Sequence, residues 1–282
     1  MRILLAGHRG QLGRALMPLL MEAHDVRGVD LPDDDITDRS AMLDLARVVA
    51  PHVIINSAAM TDVDGCARDP ALAYRVNGMG TQNLALASAD VGAEFVQIST
   101  NEVFDGAATE PYHEWAVRAP INAYGRSKLA GEWYTENLLN RFYIVRTTWL
   151  YAAGGRNFPH RIIELADQRG ALRVVEDEVG SPTYVDDLAD AIVKLLETHA
   201  YGIYHLVNEG TTSRYEFAKV LLRHSGRESV PVTPISSSEF DRTSTPPPYA
   251  PLANTAAAAL GIRLRPWEDA VAAFIDAAGY RR

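Results

Sequence analysis

Residues 2–6 form a short apolar run, Gly7, Gly10 and Gly13 follow, and Leu12, Leu16, Leu19 and Leu20 then recur at helical spacing. That order of strand, glycine turn and helix constrains the fold strongly, because a continuous apolar strand feeding straight into a helix belongs to a buried parallel sheet. In such a turn, glycines permit a sharp change of direction, close approach of backbone to a pyrophosphate, and tight packing of helix on strand. The helix N-terminus then faces the anion. The spacing here is G-x-x-G-x-x-G, not the G-x-G-x-x-G of most dinucleotide folds, so the argument rests on its place between strand and helix.

The alternation continues down the chain. Strands are expected near 25–29, 52–55, 94–98 and 142–146, and helices near 38–48, 70–89 and 122–139. This predicts an α/β fold with a Rossmann-type, doubly wound parallel sheet, residues 1–150 being the dinucleotide-binding domain. After Tyr151 the pattern changes to helices near 157–166, 186–198, 213–224 and 267–277, with strands near 172–175 and 204–207. Residues 151–282 read mainly as a smaller substrate-binding lobe, with elements near 172–200 returning to the first domain. Pro246, Pro247, Pro248 and Pro251 predict a rigid, extended segment.

Sites in doubly wound sheets lie outside the C-terminal ends of the strands. Thr100 and Trp149 are expected at such ends, and the glycines follow another. Asp30 closes the second strand, where an acid can hydrogen-bond the adenosine ribose. Small residues Ser57, Ala58 and Ala59 leave room for a flat ligand past the third strand. Tyr124 and Lys128 are four residues apart on one helix and so share a face. A free phenol titrates near ~10 and is a poor donor to a carbonyl at neutral pH. A neighbouring lysine cation favours the phenolate, and the expectation is that Lys128 lowers the Tyr124 pKa into a useful range.

Composition excludes several classes. The chain has 282 residues and a net charge of −9, which gives no electrostatic basis for binding nucleic acid or an anionic membrane. No run is long enough to span a bilayer, and the start of the sequence does not read as a secretory leader. Cys66 is the single cysteine, which fits a reducing, cytoplasmic setting. No His/Cys grouping has zinc-site spacing.

The ordered set Gly7-His8-Arg9-Gly10-Gln11-Leu12-Gly13, Asp35-Ile36-Thr37-Asp38, Asn56-Ser57-Ala58-Ala59-Met60-Thr61-Asp62-Val63-Asp64, Ser99-Thr100, Val103-Phe104-Asp105-Gly106, Tyr124 through Glu132, Asn157-Phe158 and Gly180-Ser181-Pro182-Thr183 runs along nearly the whole chain. It resembles the dTDP-4-dehydrorhamnose reductase family of extended short-chain dehydrogenase/reductases. The resemblance implies Thr100, Tyr124 and Lys128 as the catalytic set. It implies NADH or NADPH held by Gly7, Gly10, Gln11, Leu12, Asp30, Asp35, Ile36, Ala58, Ala59, Met60, Tyr124 and Lys128. Thr100, Asn101, Glu102, Trp149 and Asn157 would face a nucleotide-sugar substrate. The implied reaction is reduction of dTDP-4-dehydro-β-L-rhamnose to dTDP-L-rhamnose. The alternatives are a reductase or epimerase of another nucleotide sugar, or a non-catalytic dinucleotide-binding subunit like that of methionine adenosyltransferase.

The chain departs from the family pattern in places. Asn101 and Glu102 stand where the family usually has Asp and Tyr, and Glu102 also reads as a solvated residue at the cleft edge. Pro246 stands where the family has an arginine on the diphosphate, which Arg242 would replace only if its loop allowed. Trp149 also reads as a core aromatic. Ala15 stands where some members carry a metal-bridging glutamate, so no metal is expected; a homodimer is compatible with the resemblance. Leu31 after Asp30 leaves no adjacent cation for a 2′-phosphate, which favours NADH, although Arg9 or Arg39 has the charge to reach one.

Overall fold

The computed structural model describes residues 1–155 and 157–282. Strand β1 (Arg2–Ala6) leads through the glycine turn into α1 (Gln11–Met21), followed by β2 (Asp25–Val29), α2 (Arg39–Val49) and β3 (Val53–Asn56). Helices α3 (Val63–Arg68) and α4 (Pro70–Ala73), a π-helical turn (Tyr74–Gly80) and α5 (Thr81–Val91) form the next layer. Then come β4 (Glu94–Thr100), α6 (Ala123–Leu138) and β5 (Phe142–Thr147). The later half holds β6 (Leu150–Tyr151), α7 (Phe158–Arg169), β7 (Leu172–Val175), β8 (Val179–Gly180), β9 (Thr183–Tyr184) and α8 (Val185–Thr198). It ends with β10 (Gly202–His205), β11 (Thr212–Ser213), α9 (Arg214–His224), β12 (Val232–Ile235), α10 (Thr255–Ala259) and α11 (Trp267–Ala277).

The main sheet has six strands in the order β10-β5-β4-β3-β1-β2, with neighbours parallel throughout. The order reverses between β1 and β3, so a crevice opens past their C-terminal ends. Ile3, Leu4, Leu5, Val53, Ile54 and Ile55 are buried, as a strand covered on both faces requires. One apolar cluster joins α1, α7, α8, α9 and α11 to this sheet, so both halves of the chain share a core. The strand expected at 204–207 sits at 202–205, in register with Tyr143–Arg146 of β5. No helix among the described residues is long and apolar enough to cross a membrane.

The single helix expected over 70–89 is instead segmented. Its centre is a π-turn carrying Gly78 and Gly80, against which α6 packs so closely that a Cβ on Gly131 would lie 2.8 Å from the Asn77 carbonyl. The wide turn brings Asn77 inward. Its amide donates to Ser127 Oγ at 2.9 Å and to the Met60 carbonyl at 3.0 Å, and its Oδ1 accepts the Met60 N–H at 2.8 Å. Asn122 caps α6, its Oδ1 accepting the Gly125 N–H at 2.8 Å, and fixes the start of the helix that carries Tyr124 and Lys128.

The proline-rich segment is stitched across this region. Ser244 N–H donates to Asp64 Oδ1 at 2.8 Å, Asn122 Nδ2 to the Thr245 carbonyl at 3.1 Å, and Asn101 Nδ2 to the Ala250 carbonyl at 3.1 Å. Gly106, at φ +80, lets Pro247 and Pro248 come within 2.7 Å of where a Cβ would stand.

Candidate active site

Two adjoining cavities open at the C-terminal edge of the sheet. One of about 490 Å³ is lined by Gly7, Asp30, Asp35, Ile36 and Ala58. The other, about 460 Å³, runs past Gln11, Leu12, Thr100, Tyr124, Lys128 and Trp149. Gly10, Ser57 and Ala59 border both, so the cavities meet at the first glycine turn and the end of β3. The turn is made by glycine for steric reasons. Gly7 has φ +79, and a Cβ there would lie 2.5 Å from Ala58 N; one on Gly13 would lie 2.2 Å from the Gly7 carbonyl.

In the first cavity Asp30 accepts the Arg9 N–H at 2.9 Å. The Arg9 guanidinium donates to the Leu31 carbonyl at 2.6 Å and to Asp33 at 2.8 Å, which keeps its charge at the rim. Arg75 lines the same cavity. Arg39 is turned away onto Asn83 and Gln82 and lines neither cavity. Met60 also lines neither; Asn77 holds its backbone, and its side chain packs with Cys66, Ala73, Ala123 and Tyr124. Of the residues that the resemblance assigns to cofactor or substrate, Met60 alone stands outside both cavities.

The second cavity brings Thr100, Asn101, Glu102, Tyr124, Lys128, Trp149 and Asn157 together. Thr100 Oγ1 accepts the Glu102 N–H at 3.2 Å and donates to Asn101 Oδ1 at 3.2 Å. Asn157 caps α7, accepting the His160 N–H at 3.3 Å, and donates to the Ala152 carbonyl at 3.0 Å. Thr147 and Thr148 line the cavity, and neither buried hydroxyl has a hydrogen-bond partner among the described residues. The close glycine cradle, the helix N-terminus and these two orphaned hydroxyls are the features a dinucleotide's phosphates and polar nicotinamide end require.

The electrostatics correct one expectation. Tyr124 is not acidified by Lys128. Burial pushes the phenol up, the Glu102 carboxylate adds to the rise, and the Thr100 hydroxyl opposes it. The reason is geometric: the Lys128 ammonium reaches back to the sheet and donates to the Ile98 carbonyl at 2.6 Å. Burial itself lowers Lys128 to about 8. Glu102 is likewise not a freely solvated carboxylate. It is half-buried, burial raises its pKa, and its Oε2 accepts the Asn122 amide at 2.6 Å.

One turn beyond Lys128, Glu132 is fully buried. It accepts two bonds from Arg146, at 2.9 and 2.8 Å, one from Ser99 at 2.5 Å and one from Arg118 at 3.0 Å. This pins α6 to the ends of β4 and β5.

Arg214 was not legible as a site residue. It opens α9, far along the chain from Trp149, yet its guanidinium lies 3.6 Å from the centre of the indole ring and lines the second cavity. Only the fold brings them together. Arg242 does not enter the cavity; it pairs with Glu178. Trp149 packs against the core and also borders the cavity.

The RmlD substrate binding domain family matches residues 1–279. The chain belongs to this family. A dTDP-4-dehydrorhamnose reductase of Mycobacterium tuberculosis is 38% identical over 98% of this chain and 93% of its own. A dTDP-4-keto-6-deoxy-D-glucose reductase of Streptomyces niveus is 36% identical over 96% of this chain and 95% of its own. Among solved structures, a dTDP-4-dehydrorhamnose reductase from Clostridium acetobutylicum superposes with a TM-score of 0.94 at 41% identity, covering 98% of this chain and 99% of its own. Another, from Bacillus anthracis in complex with NADP, has a TM-score of 0.94 at 40% identity and covers 98% of each chain.

Proposed function

We propose that this family member is an NAD(P)H-dependent oxidoreductase that reduces the 4-keto group of a dTDP-linked 6-deoxy sugar, with dTDP-4-dehydro-β-L-rhamnose to dTDP-L-rhamnose as the specific reaction. The observation that carries the reading is the meeting of two cavities, one over the glycine turn and one around Tyr124, at Gly10, Ser57 and Ala59. The first 150 residues then hold the dinucleotide, and later residues, Asn157 and Arg214 among them, close the sugar side.

A bound NAD(P)H supplies the hydride to C4. Tyr124 gives its phenolic proton to the ketone oxygen, so one hydride and one proton make the alcohol. A high phenol pKa keeps that proton in place until negative charge develops on the substrate oxygen. Thr100 donates a hydrogen bond to the same oxygen and opposes the rise in the Tyr124 pKa, while Lys128, anchored on the Ile98 carbonyl, lines the cavity as a cationic donor for the nicotinamide ribose. These interactions strengthen as charge builds, so they lower the barrier more than they tighten ground-state binding. On the cofactor side, Arg9 and Arg75 at the rim supply charge for a 2′-phosphate, which makes NADPH as well suited as NADH.

The test is NAD(P)H consumption with dTDP-4-dehydro-6-deoxy-L-mannose generated in situ, with the product identified. Tyr124→Phe should bind NAD(P)H much as the unaltered enzyme does and lose roughly 100- to 1,000-fold in turnover. Full turnover in that variant would end the assignment. A second reading, a 4-keto sugar of different configuration, is favoured by Asn101 and Glu102 in the cleft and by the S. niveus relative. A panel of 4-keto sugars separates the two by the preferred substrate.

A further inference from the structure

We propose that Arg214 recognises the diphosphate of the nucleotide sugar, its guanidinium seated over the Trp149 ring as a fork open to an anion. The inference deepens the proposed reduction and rests on it.

The charge balance demands such a group. The chain carries a net charge of −9, and a nucleoside diphosphate sugar brings two further negative charges into a cleft that already contains Glu102. Among the described residues, the cationic side chains lining that cleft are Lys128 and Arg214. Lys128 is spent elsewhere: it is 3% exposed and donates to the Ile98 carbonyl. Among the described residues, Arg214 is then the cation placed to meet the substrate.

Its hydrogen-bonding state points the same way. A guanidinium has five N–H donors, and those of Arg214 make no hydrogen bond to any described residue. Its nearest carboxylate oxygen is Glu178 Oε2, 3.9 Å from Nε and beyond bonding distance. Glu178 is already taken by Arg242. Leaving such donors half-buried without hydrogen bonds costs stability, and here the cost is offset by the loose ion pair to Glu178 and by stacking on Trp149 at 3.6 Å and on Phe158 at 5.0 Å. Burial pushes Arg214 down to about 10, so it is a cation at neutral pH.

The stack is built by strained and crowded backbone. Trp149 has φ +46, an unusual conformation for a tryptophan. Its carbonyl accepts the Thr183 N–H at 3.3 Å. A Cβ on Gly180 would lie 2.6 Å from the indole, so glycine gives the ring its seat. The indole thus seats the guanidinium carbon over its ring while the N–H groups remain without hydrogen bonds. A planar fork of that kind matches the oxygens of a phosphate in a bidentate way, which an ammonium does not.

The test is calorimetric titration of the full-length chain with dTDP, with thymidine as the control lacking phosphates and NADPH as the control at the other cavity. Arg214→Gln should weaken dTDP roughly 10- to 100-fold, with little change for thymidine or NADPH. In turnover most of the loss should appear in KM for the sugar nucleotide, with a smaller share in kcat. Arg214→Lys should recover only part of the affinity. If Arg214→Gln does not fold, the lysine variant carries the test, since it keeps the charge and loses the fork. The inference is overturned if dTDP affinity stays within about twofold in these variants, or if dTDP, NADPH and melting temperature all fall together, which marks a purely structural role. Arg214-dependent dTDP binding without turnover of any 4-keto sugar would sink the proposed reduction and leave this site standing. Turnover with an unchanged KM in Arg214→Gln would do the reverse.

Discussion

Glu132→Gln offers a strong test of how the site is held. The carboxylate is completely buried and accepts four hydrogen bonds, two of them from the equally buried Arg146. Removing one partner of a buried ion pair costs about 3–5 kcal/mol, chiefly because the remaining charge loses its counter-ion. Glutamine preserves volume and one acceptor, and Arg146 keeps its bond to the Glu114 carbonyl at 3.0 Å, so the expected cost is near the low end, about 3 kcal/mol. At roughly 2–4 °C per kcal/mol for a chain near this size, the melting temperature should fall by about 6–12 °C. The pH dependence gives a second reading. Burial pushes Glu132 up, but Arg146, Ser99 and Arg118 together outweigh it and hold the carboxyl below its ordinary value. A depressed carboxyl stabilises the fold above its unfolded pKa, near ~4.3, and that stabilisation is lost as pH falls through the folded value. The gap between the unaltered protein and Glu132→Gln in urea melts should therefore be widest at neutral pH and narrow below about pH 4. Glu132→Leu combined with Arg146→Met should recover much of the loss. A melting shift under about 2 °C for Glu132→Gln would refute the argument that this pair anchors α6.

Other outcomes follow from the same geometry. Lys128, lowered to about 8 by burial, is a cation below that pH and neutral above it; kcat/KM should fall as pH rises through about 8, and a profile flat to high pH would exclude a role for the cation. Gly13→Ala would bring a methyl to 2.2 Å from the Gly7 carbonyl, so fluorescence titration should show NAD(P)H binding severely weakened; unchanged affinity would mean the turn is not the pyrophosphate seat. Arg9→Ala should raise KM for NADPH by about tenfold relative to NADH, as expected for a lost charge-assisted contact; an unchanged ratio would remove Arg9 from cofactor choice.

The strands and most helices of this protein are legible in its sequence because their apolar periods match the burial they end up with. Helix α11 spans Trp267–Ala277 and β7 spans Leu172–Val175 at the expected bounds. The break-up of the long helix around Asn77 is not legible. It comes from the approach of α6 at Gly131, a contact between segments distant in the chain. For the site, Tyr124 and Lys128 are visible from their spacing, but where the ammonium goes is not, because the Ile98 carbonyl that captures it lies on another strand. The motif alone puts Met60 at the cofactor, and the Asn77 side chain that holds its backbone elsewhere is again a tertiary contact. Arg214 is hidden for a related reason: nothing in the sequence of its helix reveals that the first residue lies over Trp149.

The stitching of residues 244–250 to Asp64, Asn122 and Asn101 has a consequence for biogenesis. Residues 244–250 line neither cavity; they brace the sugar side from behind, bonding Asn101 directly and Glu102 through Asn122. All six strands of the main sheet precede that segment in the chain, so during synthesis the nucleotide-binding sheet is available before the brace behind the sugar site.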